Sequence, residues 1–279
     1  MEINFKKVSY RDSIKKNPIL TNINLSLEPG IIHGIVGPSG SGKTTLIEMI
    51  NALVIPTEGY ITVDDFRIEK GHKIHNVNEL RFNVGLVFQN PEEQFFQKTV
   101  RKEIEFGMRM FEYQLQNIDK RVKDALKMVG LNESFLERNP FELSNGEKRK
   151  VAIASVLAFN PKVLILDEPT VGLDDRGKKN LVKLLRMLKE RYKKTIIIVS
   201  HDVDLLYELV DNVVVVHNGK ILASGTNREV FRNVKFLNKN GIGVPKLVEF
   251  IHLVAAKKKV LLNNYDDIND LIKAIYRSV

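Results

Sequence analysis

The chain has 279 residues, of which 43% are hydrophobic and 28% are charged, and its formal net charge is +9. This length accommodates one large α/β domain with a small addition, or two small domains, and the composition is that of a folded protein. The absence of cysteine excludes a disulfide scaffold, a cysteine nucleophile and a thiolate metal site. The positive charge alone fits nucleic acid, an anionic membrane surface or simple solubility.

The hydrophobic residues occur in short runs. The longest aliphatic runs, such as those at 163–166 and 213–216, are far shorter than the roughly 20 apolar residues of a membrane-spanning helix. The first residues, Met-Glu-Ile-Asn-Phe-Lys-Lys, lack the apolar core of a signal peptide. We therefore expect that the chain does not cross a membrane by itself.

The first 90 residues predict strands on either side of a glycine-rich loop. Residues 1–30 alternate polar and apolar side chains and close at a Pro-Gly turn, which is typical of an antiparallel sheet. The apolar run 31–36 predicts a strand that enters the loop, and a helix is expected from residue 45 to about residue 53. Further strands are expected at 60–63 and 84–88.

Beyond residue 90 the pattern predicts helices and then a parallel sheet. Residues 91–160 have the charge mix and spacing of helices. A helix with one leucine face is expected at 176–194, and residues 226–279 have the pattern of a helical or mixed extension. Three short β-branched or leucine-rich runs have the character of buried parallel strands, at 163–166, 196–199 and 213–216.

A phosphate-binding loop follows the predicted strand 31–36. The pattern G-x-x-x-x-G-K-[ST], between a strand and a helix, is contained in Gly37, Pro38, Ser39, Gly40, Ser41, Gly42, Lys43, Thr44 and Thr45. Glycines let backbone N–H groups converge on phosphate oxygens, and the helix N-terminus adds partial positive charge. Lys43 would reach the β- and γ-phosphates of a nucleotide, and Thr44 would ligate Mg²⁺. A flexible turn is the alternative, which the flanking strand and helix disfavour.

Two acidic residues end the predicted strand 163–166. A carboxylate at the carboxyl end of a parallel strand lies beside the phosphate loop in this architecture. Asp167 can therefore hold Mg²⁺, and Glu168 is placed to act as general base on an attacking water. A solvated acidic turn is the alternative interpretation.

A third motif, Leu-Ser-Asn-Gly-Glu, begins a predicted helix. Ser144 and Glu147 have the spacing of a capping box. Together with the phosphate loop, a glutamine after the strand 84–88, the Asp-Glu pair and a later histidine, this motif resembles the ATP-binding cassette (ABC) family over residues 1–225. The resemblance implies an α/β P-loop NTPase with a RecA-like parallel-sheet core, an N-terminal antiparallel β subdomain and an inserted helical subdomain at about 91–160. Residues 226–279 would form a small C-terminal extension, a candidate contact for a dimer partner or another subunit.

The resemblance also assigns further site residues. Gln89 would contact Mg²⁺ and the attacking water, and His201 would contact the γ-phosphate. Ser144 and Gly146 would cover the ATP of a second subunit, and Asp174 would lie in the loop that joins the two sites. A single chain then lacks a complete site. The resemblance therefore implies ATP and Mg²⁺ as ligands and a dimer as the working form.

Two features depart from the family pattern. Asn145 and Glu147 stand where glycine and glutamine are commonest in this signature, which leaves the strength of the contact with the partner's ATP open. Asp12 stands where an aromatic residue that stacks on adenine is expected. Tyr10, two residues earlier, is the candidate for that role, and a tyrosine of the hydrophobic core is the alternative.

A narrower resemblance points to energy-coupling factor (ECF) transporters. The stretch 87–96 and the residues Thr99-Val100 and Glu105 to Gly107 resemble their ATP-binding subunits, in particular the second of the paired ATPases. That group implies a heterodimer, with a homodimer as the alternative, on a transmembrane coupling subunit that engages a substrate-binding membrane subunit. The chain would then work at the cytoplasmic face of the cell membrane, where its ATP hydrolysis drives uptake of vitamins or other micronutrients, metal ions among them.

Two other functions stay open at this stage. One is an importer ATPase of another ABC subfamily, and the other is a nucleic-acid-associated cassette ATPase, which only the basic charge favours. No long coiled coil separates Gln89 from Leu143, and the chain holds one cassette, so the nucleic-acid interpretation is the weaker one. The excess positive charge lies in 176–194 and 226–279 rather than in the body of the cassette.

Overall fold

The fold is known from a computed structural model that describes residues 1–12, 17–90, 93–111 and 117–258, with side chains described as far as residue 254. Its strands are β1 (Ile3–Tyr10), β2 (Leu20–Leu27), β3 (Ile32–Val36), β4 (Glu58–Val63), β5 (Phe66–Glu69), β6 (Val84–Val87), β7 (Val163–Asp167), β8 (Thr195–Val199), β9 (Asn212–His217) and β10 (Lys220–Thr226). Its helices are α1 (Lys43–Ile50), α2 (Val77–Asn83), α3 (Val100–Met110), α4 (Ile118–Met128), α5 (Asn145–Ala158), α6 (Asp175–Tyr192), α7 (Val203–Leu209), α8 (Asn227–Phe231), α9 (Val234–Lys239) and α10 (Lys246–Lys258). Within these ranges, no helix is long and apolar enough to cross a membrane.

The strands form two sheets. One is antiparallel, with the order β2-β1-β4-β5. The other has the order β10-β9-β3-β8-β7-β6 and is parallel except for the β9–β10 hairpin. The predicted α/β class, with an N-terminal antiparallel sheet and a parallel-sheet core, is confirmed.

The parallel sheet is buried on both faces, which explains its uninterrupted apolar strands. Successive side chains of a strand point to opposite faces. On β7, Leu164 and Leu166 belong to the core under the helices, whereas Val163 and Ile165 belong to a second core that includes the antiparallel sheet and α1. The two layers thus enclose the sheet whose strand ends carry the predicted site.

Two helix boundaries follow from local backbone conformation. Helix α1 begins at Lys43, two residues before the position expected from the sequence, because Gly42 precedes it in a left-handed conformation with φ of 102°. Helix α5 begins after Ser144, whose side chain accepts from the Glu147 N–H while the Glu147 carboxylate accepts from the Ser144 N–H. The predicted capping box is therefore present.

The described part of the C-terminal extension packs on the parallel-sheet body. Phe231 is fully buried and meets the ring of Tyr207 edge-on, with centroids 6.0 Å apart. The Asn227 side-chain amide donates to the backbone carbonyls of Tyr207 and Val210 at 2.8 and 2.9 Å. The boundary at residue 225 stays a prediction, and the part of the extension beyond residue 258 lies outside the described residues.

This packing predicts a large difference between two phenylalanines of the extension. Phe231→Ala would leave a cavity in the core and lower the free energy of unfolding by about 3–5 kcal/mol. Phe250→Ala on α10 is the control, because Phe250 is 46% exposed, and its effect should stay within about 0.5 kcal/mol. Urea unfolding of both variants measures the difference. Equal losses of stability would contradict the packing described above.

Candidate active site

The motifs predicted from the sequence meet in one cavity at the carboxyl ends of the parallel strands. The ladder pairs Ile35 with Val199 and Val199 with Asp167, so β3, β8 and β7 end at the same level. The cavity has a volume of about 250 Å³ and is lined by Ile19, Ser39, Gly40, Gly42, Lys43, Thr44, Thr45, Gln89, Asp167, Glu168 and His201. The phosphate loop, the Asp-Glu pair, the glutamine and the histidine therefore share one space, as their strand positions predict.

The phosphate loop is shaped by close backbone approaches. A Cβ atom added at Gly37 would lie 1.9 Å from the Val216 carbonyl oxygen of β9, so this position admits only glycine without movement of the strand. Within the loop, the Ser41 N–H donates to the Pro38 carbonyl at 3.2 Å. The Gly219 N–H, in the β9–β10 turn, donates to the Ser41 carbonyl at 3.1 Å. The phosphate loop is thus held by a hydrogen bond within it and by one from the β9–β10 turn.

The Lys43 side chain lies folded within the loop and is 7% exposed. Its ammonium group donates to the carbonyl oxygens of Gly37 and Pro38 at 2.8 and 2.9 Å. Burial lowers the pKa of Lys43, while the carboxylates of Glu168 and Asp167 act in the opposite direction. A phosphate anion in the cavity would supply the negative charge that favours the protonated amine.

Thr44 and Asp167 form an oxygen pair at the rear of the cavity. The Thr44 hydroxyl donates to Asp167 Oδ2 at 3.0 Å, and Asp167 is 4% exposed. Burial raises the pKa of Asp167, and the Thr44 hydrogen bond opposes this. Hydroxyl and carboxylate oxygens suit Mg²⁺. No group of three or more acidic, His or Cys side chains that could hold a metal occurs in the described part of the chain, so phosphate oxygens and water would complete its coordination.

Glu168 sits where the backbone leaves β7, in a left-handed conformation with φ of 46°. Its carboxylate Oε2 accepts from the His201 N–H at 3.2 Å and from the Ser200 hydroxyl at 3.3 Å. Its other oxygen, Oε1, lies 3.3 Å from His201 Nε2 but accepts no hydrogen bond from the described residues. One oxygen is therefore fixed by two donors, and the other is buried against the His201 ring without a hydrogen bond from the described residues, so the carboxylate keeps an unused acceptor beside the histidine.

His201 and Gln89 border the cavity from its exposed side. The His201 side chain is 59% exposed, and Gln89 follows β6 in an exposed position. The Gln89 backbone is nevertheless held, because the guanidinium of the buried Arg149 on α5 donates to its carbonyl oxygen at 2.7 Å. The glutamine is thereby linked to the helix that Ser144 begins.

Seven predicted residues are not among those that line this cavity: three of them, Gly37, Pro38 and Ser41, lie within the phosphate loop itself, and the other four lie elsewhere. Ser144 and Gly146 lie at the start of α5, and Asp174 caps α6 by accepting the Gly177 N–H at 2.7 Å. The start of α5 and the loop before α6 adjoin, since a Cβ at Gly146 would lie 3.7 Å from the Leu173 side chain. Tyr10 is half-buried at the end of β1 against the second core, a position that fits the alternative of a core tyrosine.

The structure adds residues that the motifs alone did not single out. Arg149 holds the glutamine segment, the Ser200 hydroxyl orients Glu168, and the Gly219 turn supports the phosphate loop. Ile19 supplies an apolar wall of the cavity. Ser200 directly precedes His201 and could have been found by position, whereas Arg149 and Gly219 act across the fold and leave no local signal.

Comparison with known proteins agrees with this geometry. Residues 20–171 match the ABC transporter family. The chain belongs to the ABC transporter family. Relatives named energy-coupling factor transporter ATP-binding protein EcfA2 are 39% identical over 99% of both chains in Streptococcus agalactiae serotype Ia, and 44% identical over 83% of this chain and 81% of the relative in Clostridium perfringens. The family predicted from the motifs is therefore confirmed, including its ECF branch.

Solved structures of ABC proteins resemble the fold closely. The ATP-binding cassette MJ0796, described as a dimer in a post-hydrolysis state bound to ADP and Pi, matches with a TM-score of 0.74 and 29% identity, over 81% of this chain and 99% of that one. The protein cbiO1 of Clostridium perfringens, part of the ABC transporter complex cbiONQ, matches with a TM-score of 0.73 and 34% identity, over 90% of this chain and 98% of that one. An ATP-hydrolysing transport subunit, as predicted, is the function of this family.

The close approach at Gly37 predicts unequal effects of two alanines in the phosphate loop. Gly37→Ala would push the new methyl group against the β9 carbonyl, so we expect the free energy of unfolding to fall by at least about 4 kcal/mol. A Cβ at Gly40 meets no atom within 4 Å, although φ there is 75°, so Gly40→Ala should cost only about 1–2 kcal/mol. Urea unfolding measures both changes, and similar losses would show that the loop adapts to a Cβ at Gly37.

Proposed function

We propose that this chain is one of two ATPase subunits of an ECF-type importer, and that the cavity at the strand ends binds and hydrolyses Mg²⁺-ATP. The observation that carries this is the meeting of Lys43, the Thr44–Asp167 pair, Glu168 and His201 around one cavity. A cation for phosphate, an oxygen pair for a divalent metal and a carboxylate beside a histidine are the parts of a phosphoryl-transfer site.

Each residue then has a defined task. The loop N–H groups and Lys43 bind the β- and γ-phosphates, and Lys43 exchanges its two carbonyl partners for phosphate oxygens. Glu168 orients and deprotonates the attacking water with the oxygen that accepts no hydrogen bond from the described residues. His201 and Gln89, on the exposed side, contact the γ-phosphate and the water. Mg²⁺, held by Thr44 and Asp167 with Gln89 nearby, would neutralise charge on the phosphates.

One chain supplies only part of the proposed catalytic machinery. Ser144, Gly146 and Asp174 lie on a neighbouring surface, around the start of α5 and the loop before α6. In a dimer, this surface of one subunit would cover the ATP bound in the cavity of the other. The similar ABC cassette MJ0796 is described as a dimer, which supports a second ATPase subunit as partner, and a second copy of the chain is the alternative.

An exposed apolar patch on α3 and the segment before it is the proposed contact with the transmembrane coupling subunit. Phe96, Phe106 and Met110 are 55%, 36% and 58% exposed, and the two phenylalanine rings meet edge-on at 4.3 Å. The buried Glu103 carboxylate accepts the Phe96 N–H at 3.2 Å and thereby holds the backbone that carries the Phe96 ring. An apolar patch held in place in this way is typical of a protein interface.

This assembly would keep the chain on the cytoplasmic face of the membrane, where ATP is present. The cargo would be a vitamin, a metal ion or another micronutrient bound by a separate membrane subunit. Closing of the two ATPases on ATP, and reopening after phosphate release, would move the coupling subunit docked on the apolar patch.

Removal of the proposed base should trap the nucleotide. In the native complex, Glu168→Gln should lower the ATP turnover rate by at least about a hundredfold, the usual contribution of a general base, while bound ATP is retained. Glu208→Gln, at an exposed carboxylate on α7, is the control and should keep normal turnover. Phosphate release and retained radiolabelled ATP are the measurements. Turnover close to wild type would remove Glu168 from this role.

Disruption of the apolar patch should separate ATPase from transporter. Phe96→Asp places a charge in the proposed interface and should reduce co-purification of membrane subunits by at least about tenfold, as loss of an interface hot spot does. Tyr192→Asp on α6 is the control, because Tyr192 is 54% exposed and lies outside the patch. Quantification of the proteins that co-purify in mild detergent provides the readout. Unchanged recovery with Phe96→Asp would place the interface elsewhere.

Glu147 of the Leu-Ser-Asn-Gly-Glu motif should weaken the contact between Ser144 and the partner's ATP. Glu147 Oε2 accepts the Ser144 hydroxyl at 2.7 Å, so the hydroxyl proton needed by a γ-phosphate is bound to a carboxylate. Glu147→Gln weakens this bond and removes a like charge, and we expect the KM for ATP to fall by about fivefold, or about 1 kcal/mol.

A second capping box provides the control for this change. At the start of α8, Glu229 Oε2 accepts the Thr226 N–H at 2.8 Å in the same arrangement. Glu229→Gln should have a similar small effect on stability and none on KM. Steady-state ATPase kinetics give the KM for ATP of the two variants. An unchanged or raised KM for Glu147→Gln would contradict the proposed weakening of the Ser144 contact by Glu147.

A further inference from the structure

A second cavity lies between helices α4, α5 and α6. Its volume is about 340 Å³, within the range of about 300–1,000 Å³ found for small-molecule pockets. Most of its wall is apolar and consists of Met128, Val129, Ile153, Leu173, Leu181, Leu184 and Met187. The active-site residues do not line it, so it is a separate feature of the molecule.

The charged residues around this cavity are all cations. Lys127, Lys150, Lys183 and Arg149 line it, and none of the described residues contributes a carboxylate to the lining. The three lysine side chains have no ion pair or hydrogen bond to any residue that the structure describes. On the same helix α6, by contrast, Lys178 and Lys189 are paired with carboxylates at 2.7 and 2.6 Å. The lysines at the cavity thus differ from these two neighbours in having no ion pair with a described carboxylate.

The fourth cation is part of the protein interior. Arg149 is 3% exposed and belongs both to the wall of this cavity and to the support of the glutamine segment, through its bond to the Gln89 carbonyl. Its buried positive charge adds to that of the three lysines, and an anion in the cavity would feel this charge strongly because water is partly excluded there.

We propose that this cavity binds a small organic anion with an apolar chain. The apolar wall favours burial of a hydrocarbon chain, and the four cations without a carboxylate favour a carboxylate or phosphate group at its end. A neutral apolar molecule would leave the lysine charges uncompensated, and an inorganic anion would leave the apolar wall unused. The test measures binding to the nucleotide-free chain directly, so its outcome does not depend on the function proposed above.

Titration calorimetry on the full nucleotide-free chain tests the proposal with four probes below their critical micelle concentrations. Decanoate and decyl phosphate should bind with one site per chain, and the tighter of the two identifies the preferred head group. Decyltrimethylammonium, with the same chain and the opposite charge, should bind at least about tenfold more weakly, as should inorganic phosphate, which lacks the chain. Absence of binding, or equal binding of the cationic probe, would overturn the proposal.

Two lysines of α6 provide a matched pair of variants. Lys183→Gln removes a cation that lines the cavity and should weaken binding of the anionic probes by about fivefold or more. Lys179→Gln, one turn earlier, removes an exposed lysine that does not line the cavity and should change the Kd by less than about twofold. Both changes are on the surface, so folding is preserved. Equal effects of the two variants would show that the anions bind to the basic face of α6 at large and would contradict the site.

Discussion

The alignment of β3, β7 and β8 in one parallel register is the constraint on which the rest of this structure depends. Because Val199 pairs with both Ile35 and Asp167, the three strands end side by side, and whatever follows each strand enters the same space. The phosphate loop, the Asp-Glu pair and the histidine segment are distant in sequence and adjacent in the fold for this reason. Burial of the sheet on both faces by two cores holds that register rigid.

The same layout explains why the proposed function requires assembly with a second ATPase subunit. The cavity collects cationic and acidic groups whose charges are poorly compensated by the protein alone: burial disfavours the charged forms of both Lys43 and Asp167. Nucleotide phosphates and a divalent metal would compensate both. The surface around Ser144, however, does not line this cavity. It adjoins the loop of Asp174. Two chains brought together would complete what each lacks, which couples ATP binding to relative movement of the subunits.

Much of the site could be predicted from the sequence because most of its reactive residues lie in short contiguous motifs. The phosphate loop, Asp167, Glu168 and His201 each follow a recognisable apolar strand, and the parallel-sheet rule then brings them together. Features that depend on contacts across the fold could not be predicted in this way. Arg149 reaches Gln89 across 60 positions, and the Gly219 turn meets the phosphate loop from β9. The sequence pattern predicts the start of α1 two residues late, because the left-handed turn at Gly42 leaves no signal in the apolar pattern. The role of Tyr10 stays a prediction.

The proposed function assigns the metal of a bound nucleotide to Thr44 and Asp167 at the strand ends. A crystal structure of the chain with Mn²⁺ and a non-hydrolysable ATP analogue tests this assignment most directly, because Mn²⁺ scatters anomalously and its position is measured without assumption. We predict one strong anomalous peak within about 2.5 Å of the Thr44 hydroxyl oxygen, with the phosphates over the loop of Lys43. A peak remote from Thr44 and Asp167, or a nucleotide bound in another cavity, would contradict it.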